Sequence, residues 1–238
     1  MSWGSAGLPT LSACVAPLIH MRTAVKRITK ESSSSKVWQQ AISPSARSAL
    51  SFARTVFAEW DRTCVIVQGF GPTAMWDSLG RCDASGTGCG GILVNGSSLL
   101  GFHHGWTEAE KERAKVENTS PDGEDGSSST IFELMGAVYW ASMFGEHVRD
   151  SRVLLEMDCG PAVQDILKAF SAEPRVLDCV TEFRLAVARS NIHLRTRFVL
   201  GDVFNRISDA LSRGNPAQAC QDALAEFDMP LTLLHCAR

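Results

Sequence analysis

Four acidic residues stand at marked positions in this chain: Asp83, Glu133, Asp158 and Asp209. Asp158 is the most informative, because it ends the apolar run Val153, Leu154, Leu155 and Met157 within "RVLLEMDCGPAVQDIL". Asp83 lies between Cys82 and Ala84 in a segment that should be buried on both faces. An isolated buried acid costs several kcal/mol or goes neutral. Acids gathered together repel one another unless a cation sits among them. Oxygen-only ligands suit magnesium, and two such ions about 3.5–4 Å apart can activate a water and hold a leaving oxygen in phosphodiester cleavage. Each acid also has a plainer explanation. Glu133 suits a helix N-terminus stabilised by the dipole, Asp209 a solvated helix position, and Asp158 the N-cap of a following helix.

Whether the acids meet depends on the elements that carry them. Between Leu79 and Trp106, "LGRCDAS", "GCGGILVNG" and "SLLGFHHGW" are short runs broken by glycine and by the turn signal Asn95-Gly96, and they predict an antiparallel meander of three strands. Residues 107–128, charged and then rich in Gly, Ser and Asp, predict a long mobile loop. From Ser129 or Thr130 an amphipathic helix is expected to run to Gly145, with Glu133 in its first turn. A strand from Val153 to Met157 follows. A helix opens at Cys159-Gly160-Pro161, where proline fits the first turn. Another helix covers Val176–Arg189. "IHLRTRFVL" then reads as a strand, with Ile192, Leu194, Phe198 and Leu200 toward the buried face and a break near Thr196. "FNRISDALSRG" is a short helix closed by Gly214. Strand, helix, strand in one sheet favours parallel pairing, so the sheet should be mixed, with helices on both faces.

Before residue 77 the texture is different. Helical patterns at 8–30 and 44–60 flank the linker-like "KESSSSK". From Ile19 to Thr55 seven basic residues, including Lys26, Arg27 and Lys30, face one acid, whereas the chain carries a net charge of −3. A basic segment on an acidic remainder suits a protein that holds a polyanion on one part and metal ions on another; a solvated helical face is the alternative. At 238 residues, 45% hydrophobic and mean hydropathy −0.02, the chain can bury a core in one domain plus an appendage. No run approaches the ~20 apolar residues of a membrane helix, and no secretory signal opens the chain, so an intracellular protein, cytoplasmic or nuclear, is expected. The eight cysteines show no two-residue spacing and read as reduced thiols in core space.

"CDASGTGCGGIL", "SSSTIFELMGAVYWA", "VLLEMDCGPAV" and "FVLGDVFNRISDALSRG" resemble, in order, the ribonuclease H domain of retroelement reverse transcriptases over roughly residues 77–214. The last is the most specific, with Asn205, Ser208-Asp209 and Leu211-Ser212-Arg213 at corresponding places. The resemblance implies an α/β fold, the ribonuclease H-like mixed sheet of five strands with helices on both faces. It implies that Asp83, Glu133, Asp158 and Asp209 bind two Mg2+ ions, for which Mn2+ can substitute, and that the RNA strand of an RNA–DNA hybrid is hydrolysed to leave a 3′-hydroxyl. Asp83 and Asp158 would flank or bridge the ions, Glu133 would orient the water, and Asp209 would complete the second site. Ser85, Gly86, Asn205 and Arg213, with Lys26, Arg27 and Lys30, would contact nucleic acid. Residues 1–76 are similar to the helical connection between polymerase and ribonuclease H in such polyproteins, and 215–238 would be a helical tail. Three departures stand out: Cys159 where the family often has Asn, Ser208 where it has Ala, and Phe198-Val199-Leu200-Gly201 without the usual His and Pro. A decayed or domesticated remnant that binds nucleic acid or a protein without cutting is the alternative, and a nuclease or integrase relative acting on DNA is a third.

Overall fold

This computed structural model describes residues 76–114, 126–169, 171 and 173–235, together with Ser51 and Arg54. The helix expected at 8–30, most of that at 44–60, the basic residues Lys26, Arg27 and Lys30, and positions 115–125 lie outside the described residues. The chain divides into two compact units, Met1–Ala74 and Met75–Arg238, and all the strands among the described residues belong to the second.

The meander forms as its pattern predicts. Strands β1 (Ser78–Ala84), β2 (Gly88–Asn95) and β3 (Ser98–Gly105) pair antiparallel, and Gly96 takes the left-handed conformation at φ 58° in the tight turn. Strand β4 (Arg152–Met157) lies parallel to β1, and β5 (His193–Phe198) parallel to β4. The sheet is therefore mixed, and it has six strands among the described residues, in the order β5-β4-β1-β2-β3-β6, rather than five. The sixth, β6 (Leu231–Leu234), runs parallel to β3 inside the stretch expected as helical tail. Four residues are too few to show alternation. Their strand state comes from the free backbone edge of β3, which gains hydrogen-bond partners when β6 lies against it.

Two other expectations change. Thr107 and Glu110 form a reciprocal cap, Thr107 N donating to Glu110 Oε2 at 2.7 Å and Glu110 N to Thr107 Oγ1 at 3.3 Å. They start helix α1 (Glu108–Ala114) in what was expected to be loop. Helix α2 (Gly126–Phe144) opens before Ser129, so Glu133 lies beyond the first turn. A 3-10 turn, Gly145–Val148, follows. Then come α3 (Gly160–Lys168), α4 (Pro174–Arg189), α5 (Gly201–Phe204), α6 (Arg206–Ser212) and α7 (Pro216–Phe227).

Glycines set how close the helices come. On one face, Trp140 of α2 fills a notch over Gly80 and Gly91, and a Cβ on Gly80 would stand 2.3 Å from its ring. Trp140 Nε1 donates to Ile92 O at 2.9 Å, so ring and hydrogen bond together lock α2 onto the sheet. Helices α3 and α4 complete that layer, with Val163, Ile166, Val180 and Phe183 buried against α2 and β4. On the other face, α6 and α7 cover Ile92 and Leu99 with Ile207, Leu211, Ala219 and Ala223. There a Cβ on Gly90 would lie 2.3 Å from Leu211 Cβ and 2.6 Å from Ser212 N. The obstacle is partly backbone and cannot rotate away. Gly90→Ala should therefore cost about 2 kcal/mol or more, measured by urea unfolding. Among the described residues Cys82, Cys89, Cys159, Cys179 and Cys220 form no disulfide, and the first two and Cys179 are buried, in line with their reading as core fillers.

Strand β5 departs from its pattern. Ile192 is buried, but Phe198 and Leu200 are 49% and 61% exposed, while Thr196 is buried instead. The strand is at the sheet edge, with a neighbouring strand on one side only.

Candidate metal centre

Strand register brings the first two acids together. Ser78 is opposite Val153 and Arg81 opposite Glu156, and the same offset carried two residues on sets Asp83 beside Asp158 at the C-terminal ends of two parallel strands. Helix α2 brings in the third. Trp140 is seven residues past Glu133, so two turns of helix put both on the sheet-facing side. One oxygen from each of Asp83, Glu133 and Asp158 lies within 4.8 Å of the others. Glu133 Oε1 accepts a long hydrogen bond from Ala84 N at 3.4 Å, while buried Glu133 Oε2 has no hydrogen-bond partner among the described residues. Ser212 Oγ donates to Asp83 Oδ2 at 2.6 Å.

These surroundings disfavour three negative charges. Burial, reinforced by the charges of Asp158 and Asp209 and opposed by the Ser212 hydroxyl, pushes Asp83 up to about 7. Burial first, then Asp83 and Asp158, raises Glu133 well above the usual carboxylate range, and burial raises Asp158. A hard divalent cation fits such a group, because oxygen-only donors, one of them a buried oxygen lacking any donor, are what it requires. The plainer account of Asp158 also falls away: the N-cap of α3 is Cys159, so Asp158 precedes the cap.

Asp209 is not in the three-carboxylate group. It sits on α6, partly exposed, with Oδ1 accepting from Arg213 Nε at 2.8 Å, although its charge is felt at Asp83 and Asp158. Ser85 turns inward rather than outward: its hydroxyl donates to Ser212 O at 2.9 Å and ties the β1–β2 turn to the end of α6. Gly86 is exposed at that turn with open space around it. Asn205 is fully buried; its Nδ2 donates to Cys82 O at 3.1 Å, and its side chain helps hold Asp158 ionised. Arg213 is exposed at the rim. His104 on β3 is stacked on Tyr139 at 4.2 Å and bonded to Glu110, and His103 beside it is exposed, two strands across from Asp83 through Gly90.

Two residues of the centre lie within the quoted motifs but were not expected to serve the site. Ser212 stands three positions after Asp209, one helical turn on, and only the close approach of α6 to Gly90 brings it to Asp83. Gly201 is the other: a Cβ there would be 2.3 Å from Asp158 Oδ2. Gly201→Ala should displace that carboxylate and weaken divalent-ion affinity about tenfold while leaving the fold intact. Titrating Mg2+ against the thermal midpoint measures it; unchanged affinity would show that Asp158 takes no part.

No protein-family model and no curated protein matches the chain. Solved structures similar to it include RNase H1 from the halophilic archaeon Halobacterium salinarum NRC-1, at 13% identity and TM-score 0.41, covering 60% of this chain and 97% of that one. Another is an N-terminal RNase H domain from Mycobacterium tuberculosis, solved as a fusion with maltose-binding protein, at 12% identity and TM-score 0.42, covering 63% and 99%. Among the described residues no helix is long and apolar enough to cross a membrane.

Proposed function

We propose that this chain is a divalent-metal-dependent endonuclease that hydrolyses the RNA strand of RNA–DNA hybrids. The observation that carries the reading is the gathering of Asp83, Glu133 and Asp158, from three separate elements, around a buried and unpartnered Glu133 oxygen. In this reading these three hold Mg2+, or Mn2+ in its place, and Asp209 serves a second ion from the rim. Bound there, the ions would activate a water and stabilise the leaving 3′ oxygen. The protein's own contribution is to exclude bulk water from Asp83 and Glu133 and to fix Asp158 through Asn205 and Gly201. Arg213 and the Ser85-Gly86 turn flank the substrate, whose 2′-hydroxyls distinguish its RNA strand. Residues 77–214 form the catalytic part, and 1–76, with Lys26, Arg27 and Lys30, a basic connection that grips the duplex. The motifs further support descent from a retroelement reverse transcriptase polyprotein, working in the cytoplasm or nucleus.

Incubating the full chain with a labelled RNA–DNA hybrid and, separately, a DNA duplex, each with Mg2+ or Mn2+, tests the reading. Cleavage of the RNA strand to products that a polymerase can extend is expected. A folded protein that leaves the hybrid intact would overturn it. One observation favours a second reading, a remnant that binds without cutting: Asp209 is held by Arg213 outside the carboxylate group. That reading predicts hybrid binding but no metal-dependent product.

A further inference from the structure

The end of β5 and the segment after it present apolar side chains to solvent. Phe198, Leu200, Val203 and Phe204 are 49%, 61%, 51% and 48% exposed, four of the six large exposed hydrophobics of the described residues, within seven positions. Four large apolar side chains exposed so close together in the chain mark a candidate contact surface. Its place is definite. Gly201, in its middle, abuts the Asp158 carboxylate, and the Phe198 ring approaches Gly160 at the start of α3. Val199 N donates to Met157 O at 2.9 Å, one residue before Asp158, so this segment is anchored to the strand that presents the metal ligand.

Charge identifies the partner. Between 192 and 213 the chain carries Arg195, Arg197, Arg206 and Arg213 against Asp202 and Asp209, a basic stretch in a chain of net charge −3. All four arginines are exposed; Arg197 also bonds Glu156 and Arg213 also bonds Asp209, so these two offer a phosphate only their remaining guanidinium N–H groups. Exposed apolar and aromatic side chains followed by Arg206 and Arg213 suit a nucleic acid, whose phosphates meet the arginines while sugars and base edges meet the apolar groups. We infer that Phe198, Leu200, Val203 and Phe204 pack against the sugars and base edges in the wide minor groove of the hybrid bound at the carboxylate cluster. This rests on the proposed nuclease reading and adds to it a contact that is apolar rather than ionic.

Because the contact releases no counterions, its loss should lower affinity without changing the salt dependence. The probe is a short fluorescently labelled RNA–DNA hybrid, titrated with the full chain in Ca2+ across a range of salt concentrations. Phe198→Ser/Phe204→Ser should weaken binding about tenfold or more, with the slope of log affinity against log salt unchanged. Leu200→Ser/Val203→Ser, at two other exposed positions, should weaken it several-fold and guards against misfolding of the first variant. Both should keep the wild-type thermal midpoint. Wild-type affinity in both folded variants would overturn the inference while leaving the nuclease reading intact, and would assign these side chains to a protein partner or to a segment of this chain. A wild-type protein that cuts no hybrid but binds it through these side chains would overturn only the nuclease reading. One that binds no hybrid would overturn both.

Discussion

Asp83→Asn is expected to abolish metal-dependent cleavage, by at least about a thousandfold, and yet to stabilise the metal-free protein at pH 8. The two effects have one cause. Asp83 is buried beside two other carboxyls, and its folded-state value of about 7 lies above its ordinary 3.8. A carboxyl raised in this way contributes stability that is fully present below its unfolded value and is lost as pH rises through the folded one. The metal-free wild-type chain should therefore lose stability between about pH 4 and pH 7, on the order of 3 kcal/mol from this group. The amide keeps the shape, can still accept from Ser212 Oγ, and carries no charge to desolvate. Calorimetry from pH 5 to pH 8 in chelator checks this: the gap between variant and wild type should open as pH rises. Adding Mg2+ at pH 8 should then raise the wild-type midpoint and leave the variant's nearly unmoved. A variant that still cuts, or that Mg2+ stabilises as much as the wild type, would detach Asp83 from any metal role; a midpoint that falls with pH in parallel with the wild type would show that the charge of Asp83 is not what costs the stability.

Glu156→Gln should be the most destabilising single change away from the metal centre. Glu156 lies on β4, 2% exposed, and its Oε2 accepts from Arg81 Nε at 2.8 Å; Arg81 is itself only 5% exposed. Arg197 reaches Glu156 Oε1 from the neighbouring strand. Arg81 also bonds Glu226 Oε1 at 2.6 Å and lies over the Phe227 ring at 5.4 Å, tying α7 to β1. Removing the carboxylate leaves a guanidinium buried with one partly exposed partner. Breaking a buried pair from one side costs about 3–5 kcal/mol, or roughly 10 °C of thermal midpoint in a domain of this size. Replacing both members, Arg81→Met with Glu156→Leu, should recover most of that loss, because the penalty comes from the orphaned charge. A double variant as unstable as the single one would mean that the pair supplies stability directly.

Much of this architecture was legible beforehand. Glycine punctuation and the Asn95-Gly96 turn signal marked β1, β2 and β3, the apolar run marked β4, and Pro161 lies where a helix begins, because each signal is local to its own element. The misses are of the opposite kind. Strand β6 exists because β3 offers an unpaired edge, and Phe198, the last residue of β5, and Leu200 beyond it are exposed although their spacing continues the alternation of the strand. Helix α1 is the exception, since Thr107 and Glu110 announced their cap in the sequence and a run of charges concealed it.

The amino-acid order alone settled which side chains carry negative charge, which element holds each, and that Asp158 ends a greasy strand. It could not settle their company, because distances between residues far apart in the chain are fixed by register and packing. Parallel pairing of β1 with β4 set Asp83 beside Asp158, and Trp140 seated over Gly80 and Gly91 swung Glu133 in. Arg213 kept Asp209 at the rim, and the fit of α6 against Gly90 supplied the Ser212 hydroxyl. Each of those contacts joins elements that no local pattern connects.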